Sequence, residues 1–270
     1  MPDFKIIKVT IGRSFADAYA FLSDLRNLAL WGGIDPGTEI KALEDGAWGV
    51  QIDGASLSLR TTASNGYGVL DVDTTLPGTA GVFRNFARLT PNQDGCDYVF
   101  CHIAAPGISA EQFDSQNAWI EADLLRLKSY LEGDLPTPNM LKSSVISVAI
   151  KRPVDQVLPY LIEPIPFMRW AAITSNRMVH QGGLDWLFDT AAGPRIVRFH
   201  APNSFGIADQ AVFAEGETPL VNPMRVLPSA EGSIVTYVCF QRPGTSEEKY
   251  LSTLEWITSD FLTLQSVAEI

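Results

Sequence analysis

Cysteine is scarce in this chain. There are three in 270 residues, Cys96, Cys101 and Cys239, with no CxxC spacing, which excludes a disulfide framework and a paired-thiolate zinc site. Cys96 and Cys101 lie five apart in one strand-like segment and so point to opposite faces. The expectation is reduced thiols in a cytoplasmic protein. Histidine is equally rare: His102, His180 and His200 stand alone, without HxxxH or HExxH, so no metal site is expected. A GxSxG elbow and a glycine-rich phosphate loop are both missing, which leaves hydrolase and nucleotide-binding readings unsupported, and nothing calls for a cofactor. No apolar run reaches the roughly 20 residues that span a bilayer. Met1 to Lys5 lead straight into an alternating pattern, so neither membrane insertion nor a signal peptide is expected.

Positive charge is also short. Lys and Arg number 20 against 31 Asp and Glu, a net −11, and neither half has a basic stripe. That disfavours nucleic acid and anionic membrane surfaces as partners. With 46% apolar and 19% charged residues, the composition is that of a soluble globular chain with ample core.

What the chain does have is self-similarity. Its six tryptophans form three pairs at nearly one separation: Trp31 with Trp170, Trp48 with Trp186, and Trp119 with Trp256. Their surroundings agree. Phe4 to Trp31 aligns without a gap to Ser143 to Trp170, sharing Ile7/Ile146, Val9/Val148, Ile11/Ile150, Arg13/Arg152 and Leu22/Leu161. Trp119-Ile120-x-x-Asp123-x-Leu125-x-Leu127 matches Trp256-Ile257-x-x-Asp260-x-Leu262-x-Leu264. One unit is written twice, predicting domains over 1–133 and 140–270 with a proline-bearing linker at 134–139.

Within a repeat, residues 5–11 alternate as a strand. Ser14 suits the N-cap of a short helix, and a second short helix runs to Trp31; in copy two Pro153 fits a first helical turn, and Pro164 and Pro166 make the second helix irregular. Turn signals at Asp45-Gly46, Asp53-Gly54, Asn65-Gly66, Pro77-Gly78 and Asp94-Gly95 separate runs at 39–43, 48–52, 56–62, 68–75, 82–90 and 97–103, an antiparallel meander. A long helix closes each repeat, with Ser109-x-x-Gln112 and Thr245-x-x-Glu248 as capping boxes. In copy one its buried stripe is Phe113, Asn117, Ile120, Leu124, Leu127 and Leu131. The predicted fold class is α+β: two tandem domains, each a curved seven-stranded antiparallel sheet around a long C-terminal helix, with two short helices. Such a sheet leaves a gap beneath the helix.

This order resembles the helix-grip fold of the START/Bet v 1-like superfamily, which includes polyketide cyclases and lipid-transport proteins. The resemblance is carried by Ile7-x-Val9-x-Ile11, Phe21-Leu22-x-Asp24 leading to Trp31, Pro91-x-x-Asp94-Gly95, and Leu127-Lys128-x-Tyr130-Leu131-Glu132. Copy two keeps Tyr160-Leu161-x-Glu163 to Trp170 and Pro228-x-x-Glu231-Gly232. It implies a cavity for a small hydrophobic or aromatic ligand, lined from the helix by Phe113, Asn117 and Ile120 in copy one and by Tyr250, Leu254 and Ile257 in copy two. Trp31 and Trp170 would close its mouth; Trp48, Trp119 and their mates read as core anchors.

The resemblance to aromatase/cyclase members also implies a strand arginine directed into the cavity, and Arg60 and Arg198 are the duplicated pair. Parity puts Arg60 outward beside inward Leu57, Leu59 and Thr61. For Arg198 it is ambiguous, since Arg195, Val197 and Phe199 oppose Ile196, Arg198 and His200; the expectation for both arginines is nonetheless an outward, exterior or domain-interface position. His102, matched by Cys239 at the equivalent position of the other copy, is a candidate acid or base if its strand face is inside, which periodicity does not assign. The functional expectation is a binder of a small hydrophobic molecule. The alternatives are a didomain polyketide aromatase/cyclase and a non-enzymatic interaction protein with collapsed cavities.

Overall fold

The computed structural model describes residues 4–35, 37–52, 54–75, 81–105, 107–172, 177–190 and 193–270. The turn expected at Pro77-Gly78, and Asp53 and Pro106 of two other turns, lie outside the described residues. The chain divides into two compact units, Met1–Met140 and Leu141–Ile270. No helix among the described residues is long and apolar enough to cross a membrane.

In unit 1 the first strand, β1 (Phe4–Ile11), leads into α1 (Phe15–Ser23), whose N-cap Ser14 accepts a hydrogen bond from the Asp17 amide. A 3-10 turn over Leu25–Asn27 and the short α2 (Leu28–Trp31) follow. The meander then runs through β2 (Lys41–Ala42), β3 (Trp48–Ile52), β4 (Ala55–Thr61), β5 (Val72–Thr75), β6 (Val82–Asn92) and β7 (Gly95–Ile103). These form one seven-stranded antiparallel sheet in the order β1-β7-β6-β5-β4-β3-β2. Ile7, Val9 and Ile11 lie opposite Phe100, Tyr98 and Cys96; this face packs on Leu124, Leu127 and Leu131 of α3 (Ala110–Glu132). The face question on β7 is thereby resolved: the even-numbered residues, His102 included, point toward the helix.

Two devices in unit 1 recur in unit 2. The Asn65 side chain accepts from the Tyr67 and Val69 amides at 3.1 and 3.0 Å and donates to the Val69 carbonyl at 3.0 Å. That coil brings Gly68, at φ 71°, so close to the Leu89 carbonyl that a Cβ would collide with it. Asn203 makes the same bonds to Phe205 and Ile207, and Gly206 at φ 71° faces the Val226 carbonyl. The duplicated Arg13 and Arg152 also gain a reason. Arg13 Nε donates to the Leu131 carbonyl at 2.6 Å, and Arg152 donates to those of Ala268 and Glu269. Each cation thus satisfies carbonyls at the negative end of a long helix.

Unit 2 comprises β8 (Ser143–Ile150), α4 (Val154–Ile162), α5 (Pro164–Phe167), β9 (Met178–Gly182), β10 (Asp185–Phe188), β11 (Arg195–Arg198), β12 (Gln210–Phe213), β13 (Val221–Asn222), β14 (Met224–Ser229), β15 (Gly232–Phe240) and α6 (Glu247–Ala268). The expectation of one seven-stranded sheet here is corrected. The strands form a five-stranded sheet, β13-β12-β11-β10-β9, and a three-stranded sheet, β14-β15-β8. The cause is Pro223, which sits between β13 and β14 where unit 1 has Phe86 within unbroken β6. Proline has no amide hydrogen for the ladder; only its carbonyl still pairs, accepting from Val238 at 2.8 Å.

A second correction concerns the last helix. Its N-cap is Ser246, which accepts from the Lys249 amide at 3.2 Å, whereas Thr245 precedes the cap. In α3 the Ser109/Gln112 capping box is present as expected. The reading of Trp119 and Trp256 as core anchors is also corrected: they are 47% and 50% exposed. Both flank the buried stripe, one helical step from Ile120 and Ile257, so each indole lies at the edge of the helix–sheet interface. Trp48 and Trp186 pack partly buried against their cores.

Candidate functional site

Unit 2 contains a cavity of about 480 Å³ between the sheets and α6, within the range of small-molecule sites. Its apolar walls follow from strand parity. Val197 pairs with Val212, and Tyr237 pairs with both Met224 and Ile146, so these side chains share the inward face. The short helices supply Phe167 and Trp170, which meet edge to face at 5.0 Å, and Trp170 also meets Phe261 at 5.9 Å. The Trp170 indole donates to the Tyr160 carbonyl at 2.8 Å, which fixes its ring as one wall.

Of the residues expected to bind, Trp170, Tyr250 and Ile257 line this cavity, and Leu254 does not. Tyr250 is oriented by its hydroxyl, which donates to the Cys239 carbonyl at 3.0 Å and accepts from the Ser144 hydroxyl at 2.9 Å. Trp256, read from sequence as core, is instead part of the lining.

Several polar groups also reach the lining, and sequence reasoning missed all of them: Arg195, Arg242, Lys249, Tyr237 and Asp260. The ambiguous parity of β11 resolves as Arg195, Val197 and Phe199 inward, because Val197 and Phe199 are buried in the unit 2 core. Arg198 therefore lies outside, its guanidinium held by both oxygens of Asp185 at 2.7 Å. That bond keeps the Asp185 carboxyl below its usual range. Arg60 is likewise exposed and paired with Asp45 at 2.7 Å. Among the described residues the strand arginine that lines this cavity is Arg195, which has no duplicated partner to draw attention to it. Its only sequence signal was the parity it shares with Val197 and Phe199.

Asp260 follows Trp256 by four residues on α6 and accepts a hydrogen bond from the Ala172 amide at 3.2 Å. Burial pushes its carboxyl up to about 6, against the opposing pull of that amide. In unit 1 the equivalent Asp123 accepts from the Gly33 amide at 3.1 Å and is paired with Arg126, which also donates to the Trp31 carbonyl. Unit 2 has Thr263 where unit 1 has Arg126, so Asp260 lacks that partner. Cys239 lines the cavity as well, but burial pushes its thiol up to about 11. It is protonated at neutral pH and is no nucleophile.

Unit 1 brings together two candidates that sequence analysis treated separately. His102 Nδ1 lies 2.8 Å from Asn117 Oδ1, and its ring stacks on Phe113 at 4.9 Å. An amide oxygen only accepts, so Nδ1 carries the hydrogen. Both residues are buried, and each satisfies the other. Trp31 and Ile120 are partly buried against the same core. Among the described residues no cluster of three or more metal-ligating side chains occurs.

Neither a family model nor a curated protein matches the sequence. Over its full length the chain is similar to DynU16, described as a putative protein in the dynemicin biosynthetic locus (16% identity, 100% of this chain and 98% of that one, TM-score 0.40). It is also similar to the di-domain ARO/CYC BexL from the BE-7585A biosynthetic pathway (11% identity, 99% of each chain, TM-score 0.40). XoxI from Bacillus cereus matches only half of it (12% identity, 48% of this chain and 96% of that one, TM-score 0.41). At this level of likeness no activity is transferred.

Proposed function

We propose that this protein is a tandem helix-grip protein, with domains at 1–133 and 140–270, that binds a small hydrophobic or aromatic molecule in the cavity of its second domain. The observation that carries this reading is the 480 Å³ space beneath α6, walled by Phe167, Trp170, Met224, Ile257 and Phe261. Those side chains offer apolar and aromatic contact on several sides, and burying a ligand's apolar surface there gains roughly 25 cal/mol per Å² removed from water. The test is titration with a neutral fluorescent probe, N-phenyl-1-naphthylamine. Saturable binding near one equivalent is expected, with a rise in Tm through linkage. Ile257→Trp should abolish it by filling the cavity, and Ile120→Trp in the first domain should not. Binding that survives Ile257→Trp places the site elsewhere.

A second reading, a cyclase, draws support from one feature: Arg195 stands on the cavity wall, where a guanidinium can stabilise an enolate that develops as a carbon–carbon bond forms. Carbonyl-rich chains that cyclise faster with the protein than with its Arg195→Met variant would favour it over simple carriage.

A further inference from the structure

Arg195 and Arg242 set this cavity apart from an ordinary apolar pocket. The chain has an excess of acids, and its outward strand arginines use them: Arg60 pairs with Asp45, Arg84 with Asp73 and Arg198 with Asp185. Neither Arg195 nor Arg242 forms an ion pair among the described residues, although both are half-buried and line the cavity. Arg195 donates only to the carbonyl of its neighbour Pro194, at 2.9 Å. Arg242 donates through Nη2 to the Val212 carbonyl at 2.6 Å, and Val212 lies opposite Val197, two residues along the inward face from Arg195. Both guanidiniums thus line the same cavity, each with N–H groups to spare among the described residues. A half-buried cation without a counter-charge is costly, and a bound anion removes that cost.

The remaining charges around the cavity agree. Lys249 stands in the first turn of α6, on the side of Arg242. Glu217 is exposed at the rim, its carboxylate accepting from the Ala214 amide. Asp260 is eleven residues farther along α6 than Lys249, roughly 16 Å at 1.5 Å per residue. Arg242 and Lys249 thus stand by the start of α6 and Asp260 farther along it, while Glu217, the other acid of the lining, is held at the Ala214 amide. Tyr237 lies deep in the unit and yet keeps accessible surface, which opens into the cavity; its hydroxyl has no hydrogen-bond partner among the described residues.

We propose that the second-domain cavity selects an amphipathic anion: a planar apolar body carrying one carboxylate, phenolate or similar oxyanion, seated with its charged head against Arg195 and Arg242. This rests on the proposed binding of apolar ligands in the same cavity, and it adds the charge and orientation of the ligand.

The experiment compares two probes with the same aromatic body, neutral N-phenyl-1-naphthylamine and anionic 1-anilinonaphthalene-8-sulfonate, on the full chain. The anionic probe should bind about tenfold or more tightly than the neutral one, the scale of a charge-assisted contact. Arg195→Met keeps the aliphatic stem and loses only the bond to Pro194, so it should fold. It should remove most of the preference of the anionic over the neutral probe, and Arg195→Lys should recover part of it. Equal affinity for the two probes, or a preference untouched by both Arg195→Met and Arg242→Met, overturns the proposal while leaving apolar binding in place. If neither probe saturates, or Ile257→Trp releases neither, the underlying reading falls and this one with it.

Discussion

Asp260 illustrates how one missing neighbour changes a side chain's chemistry. Unit 1 keeps the same aspartate beside Arg126; unit 2 keeps the aspartate and its backbone amide partner but not the guanidinium. With its carboxyl pushed up to about 6 by burial, the folded state holds this proton more tightly than the unfolded chain, whose aspartates titrate near 3.9. Stability therefore falls as pH rises from about 4 through about 6, because only the unfolded chain releases the proton freely across that window. Asp260→Asn removes the penalty. It should raise stability at pH 7.5 by about 1–3 kcal/mol, with the advantage gone by pH 4. Thermal melts of both proteins from pH 4 to 7.5 check this, and a gap that stays constant with pH refutes it. The buried His102–Asn117 pair gives a second test at this scale. Unit 2 replaces it by Cys239 and Leu254. Asn117→Leu alone strands a buried ring N–H and should cost about 1–3 kcal/mol. Adding His102→Cys, which reproduces the other copy's pair, should recover much of that loss in a double-mutant cycle. A purely additive result would mean the two side chains are uncoupled.

Elements show where local signals are trustworthy and where a neighbouring residue competes. The alternation of Phe4–Ile11, the Ser14 cap and the turns at Gly46, Asn65 and Gly95 were legible because each rests on period or turn chemistry within a few residues. The last helix was legible as an element, but its start was displaced by one. Thr245 and Ser246 both offer a hydroxyl, and Thr245 is instead tied back through its amide to the Arg242 carbonyl at 3.0 Å. Ser246→Ala should destabilise unit 2 by about 1 kcal/mol, and Thr245→Ala should cost clearly less, as read from denaturant midpoints at unchanged m-value. The reverse order would restore Thr245 as the cap. The division of the second sheet was also written in the sequence, as Pro223 against Phe86. Its weight emerged only once register placed it inside a ladder that the other copy keeps whole.

At the scale of the molecule, duplication made the architecture readable. Tryptophan pairs, shared strand residues and shared helix motifs required two similar units, and in the first the spacing of turns marked the six runs of the meander while alternation marked β1. Strand parity could not say which face was inside. On β7 both Val99/Cys101 and Tyr98/Phe100 are largely apolar, and both sets are withdrawn from solvent to a large degree. The same ambiguity hid Arg195, while the duplicated Arg60 and Arg198 drew attention and turned out to serve surface ion pairs, worth on the order of 0–1 kcal/mol each. Repetition marks what both copies need for folding, such as Arg13 and Arg152 at the helix ends. Differences between copies are where the cavity acquired its character: Tyr250 for Phe113 and Cys239 for His102 stand in its lining, and Thr263 for Arg126 leaves the lining Asp260 without a guanidinium. The sequence by itself determined the repeat, its order of elements and most of its caps, because those depend on contacts within a turn or a strand. Only the tertiary structure decided which face looks inward, which arginines reach the cavity and which aspartate lost its partner. Each of these depends on residues brought together from strands and helices far apart in the chain, and no local period encodes that.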